Sequence, residues 1–158
     1  MNTTVFADQA ILGRVLKEGY GDGAWHGPDL KSAVADVTAE QAFQRPAPGR
    51  HNIAEIVAHH AWFVRSVTAQ LTGRAPTEFP LAGEDWFELS GGSIGWDDLR
   101  ALLATLQQEL AQAAADVVTE RVVTTMTEND RFDVVLGITG HAIYHAGQIQ
   151  LIKRLLSA

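Results

Sequence analysis

The sequence predicts an all-α protein, a four-helix bundle with long crossover connections. Three observations carry this expectation. Four long proline-free segments repeat apolar residues at the 3.6-residue spacing of an amphipathic helix. Apolar runs elsewhere are short. The connections after the first and second long helices exceed what a tight antiparallel hairpin needs, so at least one must cross over.

Thr3 to Lys17 reads as the first helix, with Val5, Ala10 or Ile11, Leu12, Val15 and Leu16 on its apolar face. Thr3 or Thr4 is the candidate cap, and Gly19-Tyr20-Gly21-Asp22-Gly23 ends the helix, because glycine tolerates left-handed C-terminal backbone. After Trp25-His26-Gly27-Pro28, proline can open a short helix from Asp29 to Ala35. Thr38-Ala39-Glu40-Gln41 is a capping box for one further turn, and Arg45-Pro46-Ala47-Pro48-Gly49 breaks the chain.

The second long helix runs from Asn52, a good N-cap, to Thr72 before Gly73. Ile53, Ile56, Val57, Phe63, Val64, Val67 and Leu71 form its apolar side. His59 shares a face with Ile56 and Phe63, while His60 lies on the row of Ile53, Val57 and Val64, so periodicity leaves both open as inward residues. Gly73 to Gly95 is a long connection of the kind that is functional or disordered, and its Trp86 and Phe87 expect part of it to pack down. The third long helix starts at Trp96-Asp97-Asp98, acidic where the helix dipole favours it, and runs to Ala115. Val122 to Met126 suggests a short extended passage into the last helix.

That last helix, Asp133 to Leu156, organises the chain. Val134, Ile138, His141, His145, Ile149, Ile152 and Leu156 fall on one stripe, so two histidines interrupt an apolar row. Residues i and i+4 stand roughly 5–6 Å apart at Cβ, close enough for both imidazoles to reach one point. One histidine on an apolar face is commonly a hydrogen-bonded core residue. Two on one stripe each need partners for both ring nitrogens. The spacing matches the zinc-binding H-E-x-x-H helix, but Ala142 follows His141 and removes that motif's glutamate, which disfavours a metalloprotease. Facing helices of a bundle can pool ligands, so a histidine of the second long helix opposite this pair would complete three imidazoles plus water. That is an open zinc site of the catalytic kind.

Composition excludes several classes. The net charge of −7 and pI near 5.2 argue against nucleic acid, which wants basic clusters. The absence of cysteine excludes disulfides, thiolate ligands and a cysteine nucleophile. With no span of 18 apolar residues and no basic, then apolar, N-terminal stretch, the expectation is a cytoplasmic protein without a membrane span. Residues 1–158 read as one domain with no internal repeat.

Three segments then carry a family likeness: Trp25-His26-Gly27-Pro28, Arg50-His51-Asn52-Ile53-Ala54-Glu55-Ile56-Val57-Ala58-His59, and Gly140-His141 through His145-Ala146-Gly147-Gln148-Ile149. Their order resembles the DinB superfamily, the DinB/YfiT-like metalloenzymes with bacterial thiol transferase relatives. The resemblance implies a four-helix bundle and a divalent metal, zinc first and nickel as the alternative. It implies a triad of His59, His141 and His145, and selects His59 because the position of His60 is usually apolar in the family. It further implies a small-molecule substrate, a low-molecular-weight thiol such as bacillithiol, mycothiol or glutathione conjugated to an electrophile, after the metal lowers the thiol's pKa. A metal-dependent hydrolase and a non-catalytic, stress-associated metal-binding bundle are the alternatives, and a homodimer is the implied assembly. Trp25, Trp86 and Tyr144 are candidate pocket residues, since aromatics make apolar walls with a polar handle. No Ser, Asp or Glu presents itself as a general base.

Overall fold

The computed structural model describes residues 3–158, with side chains described from residue 11 onward. The capping expected of Thr3 or Thr4 and the burial expected of Val5 and Ala10 fall outside the described side chains. Among the described residues there are six helices and no strand: α1 Thr3–Gly19, α2 Leu30–Ala35, α3 Ala39–Phe43, α4 Ile53–Thr72, α5 Trp96–Val118 and α6 Glu128–Leu156.

The four long helices form the bundle. α1 packs on α6 and α5, and α4 packs on α5 and α6, so α1 and α4 stand on opposite corners. Directions follow from which residues meet. Leu12 shares a cavity wall with Phe132 and Val118, while Gly19 meets Thr139 and Ala142, so α1 runs parallel to α6 and antiparallel to α5. His60 meets Gln107, and Thr72 stands beside Asp116, so α4 and α5 are parallel. Phe63 packs on His141 and Ile56 lies beside Ile152, so α4 and α6 are antiparallel. Two consecutive parallel helices require a connection that returns along the bundle, and residues 74–95 make it. This is the crossover expected from the loop length.

Local chemistry sets the helix ends. Asn52 and Glu55 form a capping box at α4, and Thr38 and Gln41 another at α3. Gly73, at φ 67°, ends α4 in the left-handed conformation that glycine adopts without strain. Gly19 has a different reason, because a Cβ there would lie 3.0 Å from the Ala142 Cβ, so glycine lets α1 close on α6. α2 starts one residue later than expected: Asp29 is its cap, accepting from the Ser32 N–H, so Pro28 precedes the helix rather than opening it.

Two boundaries moved. α6 starts at Glu128 rather than Asp133, because Thr127 and Asp130 make a capping box in which aspartate replaces the usual Glu or Gln. α5 continues to Val118, where Val117 and Val118 are buried. Residues 119–127 then turn directly into α6 with no paired strand. The core joins Leu99, Leu103, Leu106 and Leu110 of α5 to Ile53, Val57 and Val64 of α4 and to Val135, Ile138, Ile149 and Ile152 of α6. Burial of these faces, more than intrinsic propensity, holds the helices. Trp96 is core, and its indole N–H donates to the Val37 carbonyl at 2.8 Å, fastening α5 to the segment after α2.

Candidate metal centre

The site is built on α4, and the first turn of α4 is anchored before the histidines are reached. Buried Asn52 donates through its amide to the carbonyls of Phe43 and Leu89, tying the helix start to α3 and to the crossover. One turn on, the fully buried Glu55 accepts from the Leu89 N–H at 3.1 Å, from His51 Nδ1 at 3.0 Å and from the Arg45 guanidinium with both oxygens. Burial alone would raise its pKa. The Leu89 N–H, His51 and Arg45 outweigh that and hold the carboxylate below its ordinary value. The crossover segment that carries Asp85 and Trp86 is thereby pinned beside α4.

One turn further the histidines meet. His141 Nε2 lies 3.2 Å from His59 Nε2 and 3.1 Å from His145 Nε2. The ligand atoms of all three lie within 4.8 Å of one another. His141 and His145 come from adjacent turns of α6, and His59 faces them across the antiparallel α4–α6 contact. Three nitrogens on two helices therefore aim at one point.

The far nitrogens explain why they aim there. His59 Nδ1–H donates to Asp85, whose carbonyl is at 2.9 Å and whose carboxylate is at 3.0 Å. His145 Nδ1–H donates to Gln148 Oε1 at 2.6 Å, and the Gln148 amide in turn donates to the Tyr144 hydroxyl. With Nδ1 committed as donor in both rings, Nε2 presents its lone pair to the centre. Asp85 does this at φ 65°, a left-handed backbone that Asp tolerates better than most residues. Trp86 is clamped between two imidazoles, stacked on His51 at 3.8 Å and on His59 at 3.8 Å, with interplanar angles of 6° and 5°. It fixes the plane of His59.

Electrostatics favour neutral rings. Burial, then the neighbouring His145 and His59, push the His141 pKa down to about 4. Burial also pushes His145 down to about 4; its Gln148 hydrogen bond works the other way, and His59 and His51 add to the lowering. Burial and the three surrounding histidines hold His60 well below the ordinary value. Neutral imidazole is the form that can donate a lone pair to a metal.

His60 takes a different position from His59. Its Nδ1 faces His141 Nδ1 at 2.7 Å and its Nε2 faces the Gln107 side chain at 3.1 Å, so both of its nitrogens are spent away from the triad centre. The α6 stripe is also rotated from its expected position. Val135, Ile138, Ala142, His145, Ile149 and Ile152 are buried, and His141 sits at the edge, half-buried.

A cavity of about 440 Å³ opens on His145. Trp86 and Tyr144 line it with Ile56, Leu151, Ile152 and Leu155, and Arg50 supplies a cationic side chain. Trp25 does not line it. That residue is 93% exposed beyond the end of α1, its backbone N–H held by Glu18. Sequence reasoning missed Asp85 and Gln148 as partners of the triad, Gln107 as the partner of His60, and His51 as the second face of the Trp86 stack. Only Gln148 carried a local signal, lying three residues after His145 on the same helix face.

Neither a curated protein nor a solved structure matches the chain. A sequence profile described as the DinB superfamily matches residues 24–149, which spans α2 to the Ile149 turn of α6 and takes in all three converging histidines. The chain belongs to the DinB superfamily.

Proposed function

We propose that this protein is a metal-dependent enzyme with an open three-histidine site, and that it is a thiol S-transferase joining a low-molecular-weight thiol to an electrophile. The observation that carries the reading is the convergence of three Nε2 atoms, two with their tautomers fixed by Asp85 and Gln148, beside an apolar cavity. His59, His141 and His145 are the ligands, and a three-imidazole donor set suits zinc first, with nickel as the alternative. A divalent cation there supplies Lewis acidity that lowers the pKa of a thiol or water. Asp85 and Gln148 orient their imidazoles. The apolar wall of Ile56, Ile152 and Leu155 receives an apolar electrophile and excludes water from it. Trp86 and Tyr144 line the same cavity. The chain has no cysteine, so the thiol arrives as substrate. Water in place of thiol would make the same site a hydrolase.

A second reading has one observation in its favour: the three histidines come from α4 and α6 alone, so an ion there would pin two helices without turnover. The proposed reaction is one on a small molecule in the cytoplasm; among the described residues no helix is long and apolar enough to cross a membrane.

The test is an assay of zinc- or nickel-loaded protein with glutathione, bacillithiol or mycothiol and the electrophile 1-chloro-2,4-dinitrobenzene. Metal- and thiol-dependent conjugation that His145→Ala abolishes supports the transferase. Ester hydrolysis without thiol moves the assignment to the hydrolase. A bound metal with no exchangeable water and a raised Tm supports the helix-pinning reading. The homodimer implied by the family likeness is checked by light scattering on the same sample.

A further inference from the structure

His60 is fully buried, yet neither of its ring nitrogens faces the triad centre. It stands between the side chain of Gln107 on α5 and His141 on α6. We propose that Gln107, His60 and His141 form a hydrogen-bonded relay whose proton pattern sets the metal affinity of the centre. The proposal rests on the reading of His59, His141 and His145 as ligands.

Each neutral imidazole carries one N–H and one lone pair. The 2.7 Å contact between the Nδ1 atoms of His60 and His141 therefore holds one proton, and two patterns are possible. In the closed pattern the Gln107 amide N–H donates to His60 Nε2, and His60 Nδ1–H donates to His141 Nδ1. His141 then carries its proton on Nε2 and points it at the lone pairs of His59 and His145, 3.2 and 3.1 Å away. Every group is satisfied and the cluster is closed on itself. In the open pattern His141 Nδ1–H donates to His60 Nδ1, and His60 Nε2–H donates to Gln107 Oε1 after the amide turns over. His141 Nε2 now offers a lone pair beside those of the other two histidines.

The two patterns balance. His141 moves its proton from Nε2 to Nδ1, and His60 moves its own from Nδ1 to Nε2. Each ring keeps one proton and no charge changes. An amide is suited to the end of this relay because it exposes a donor at one end and an acceptor at the other, and a half-turn exchanges them. Gln107 is half-buried on α5, a helix that contributes no ligand, so α5 enters the control of the centre through it.

The experiment is zinc affinity by competition with a chromophoric chelator, with the ¹⁵N resonances of the histidine rings recorded with and without zinc. Gln107→Glu can only accept, which favours the open pattern, and should tighten zinc about tenfold. Gln107→Leu and His60→Leu remove the acceptor and should weaken it about 10- to 100-fold, the range for loss of a ligand's hydrogen-bond partner. The ring spectra should show His141 protonated on Nε2 without zinc and on Nδ1 with it. A purely structural role for Gln107 would make both its variants weaker together, which overturns the relay. So would affinities within twofold of wild type in all three variants, or an unchanged His141 tautomer. A wild-type protein that binds no zinc overturns the triad reading itself, and the relay with it.

Discussion

Two buried polar clusters sit one turn apart on α4, and they resolve burial in opposite ways. Glu55 is a charge with 1% of its side chain exposed, kept ionised by the Leu89 N–H, His51 and the two-pronged Arg45 contact. His60, His141 and His145 are driven neutral by burial and by one another. The difference lies in the donors brought by the surrounding segments. Around Glu55 they are a guanidinium and backbone N–H groups, which saturate the carboxylate and tie the crossover to the helix. Around the histidines the partners are other imidazoles, Asp85 and the Gln148 side chain, which leave the Nε2 lone pairs of His59 and His145 turned to the centre. A saturated cluster is structural. A cluster with lone pairs left over is open to a ligand.

The comparison breaks most visibly at its charged half. Glu55→Gln keeps the size of the side chain but cannot accept from all the donors that the buried carboxylate satisfies, and should cost about 2 kcal/mol of stability, as buried hydrogen-bonding groups left unsatisfied do. Chemical denaturation reads this directly, and a loss below about 1 kcal/mol would mean that Glu55 is not the anchor described. On the neutral half, His145→Ala should remove stoichiometric metal while circular dichroism stays helical, because the ring is replaced inside a helix that its neighbours still bury. Undiminished metal in a folded His145→Ala protein would dissolve the triad.

Acidification separates the halves by pH. Histidines whose folded pKa is depressed contribute stability that is present above their ordinary value of 6.5 and is lost as pH falls from there towards about 4. Glu55, a carboxylate with a lowered pKa, contributes stability present above its ordinary value of 4.5 and lost only as pH falls below it. The metal-free protein should therefore weaken first between pH 6.5 and 4, and again below 4.5. Thermal melts of His141→Gln should show a flatter first window and an unchanged second one. The smallest effect expected is that of Asp85→Asn, which keeps the backbone carbonyl on His59 and the tolerance for φ 65° while removing the carboxylate. Zinc affinity should fall about threefold to tenfold, measured by chelator competition.

The sequence made some of this legible for identifiable reasons. Pairs three or four residues apart on one helix are local, so the His141/His145 spacing and the Thr38–Gln41 box could be read directly. The Thr127–Asp130 box was missed only because aspartate stood where Glu or Gln was expected. His59 and His60 could not be separated by period, and the structure shows why. Every residue from Asn52 to Ala61 is buried, since α5, α6, α3 and the crossover surround this part of α4, and a helix buried all round has no apolar stripe to read. Asp85, Trp86 and Gln107 reach the histidines across 26, 27 and 47 positions, and spacing along the chain carries nothing about such contacts. The rotated stripe on α6 has the same origin, because α1 and α4 cover the helix from two sides and widen its buried face.

The central claim is that His59, and not His60, completes the site with His141 and His145. The most direct test is elemental analysis of protein purified without a metal-binding tag and reconstituted with zinc, compared across wild type, His59→Ala and His60→Ala. The account predicts about one equivalent in wild type, none in His59→Ala, and one retained at saturating zinc, with lower affinity, in His60→Ala. Full occupancy in His59→Ala with loss in His60→Ala would contradict it.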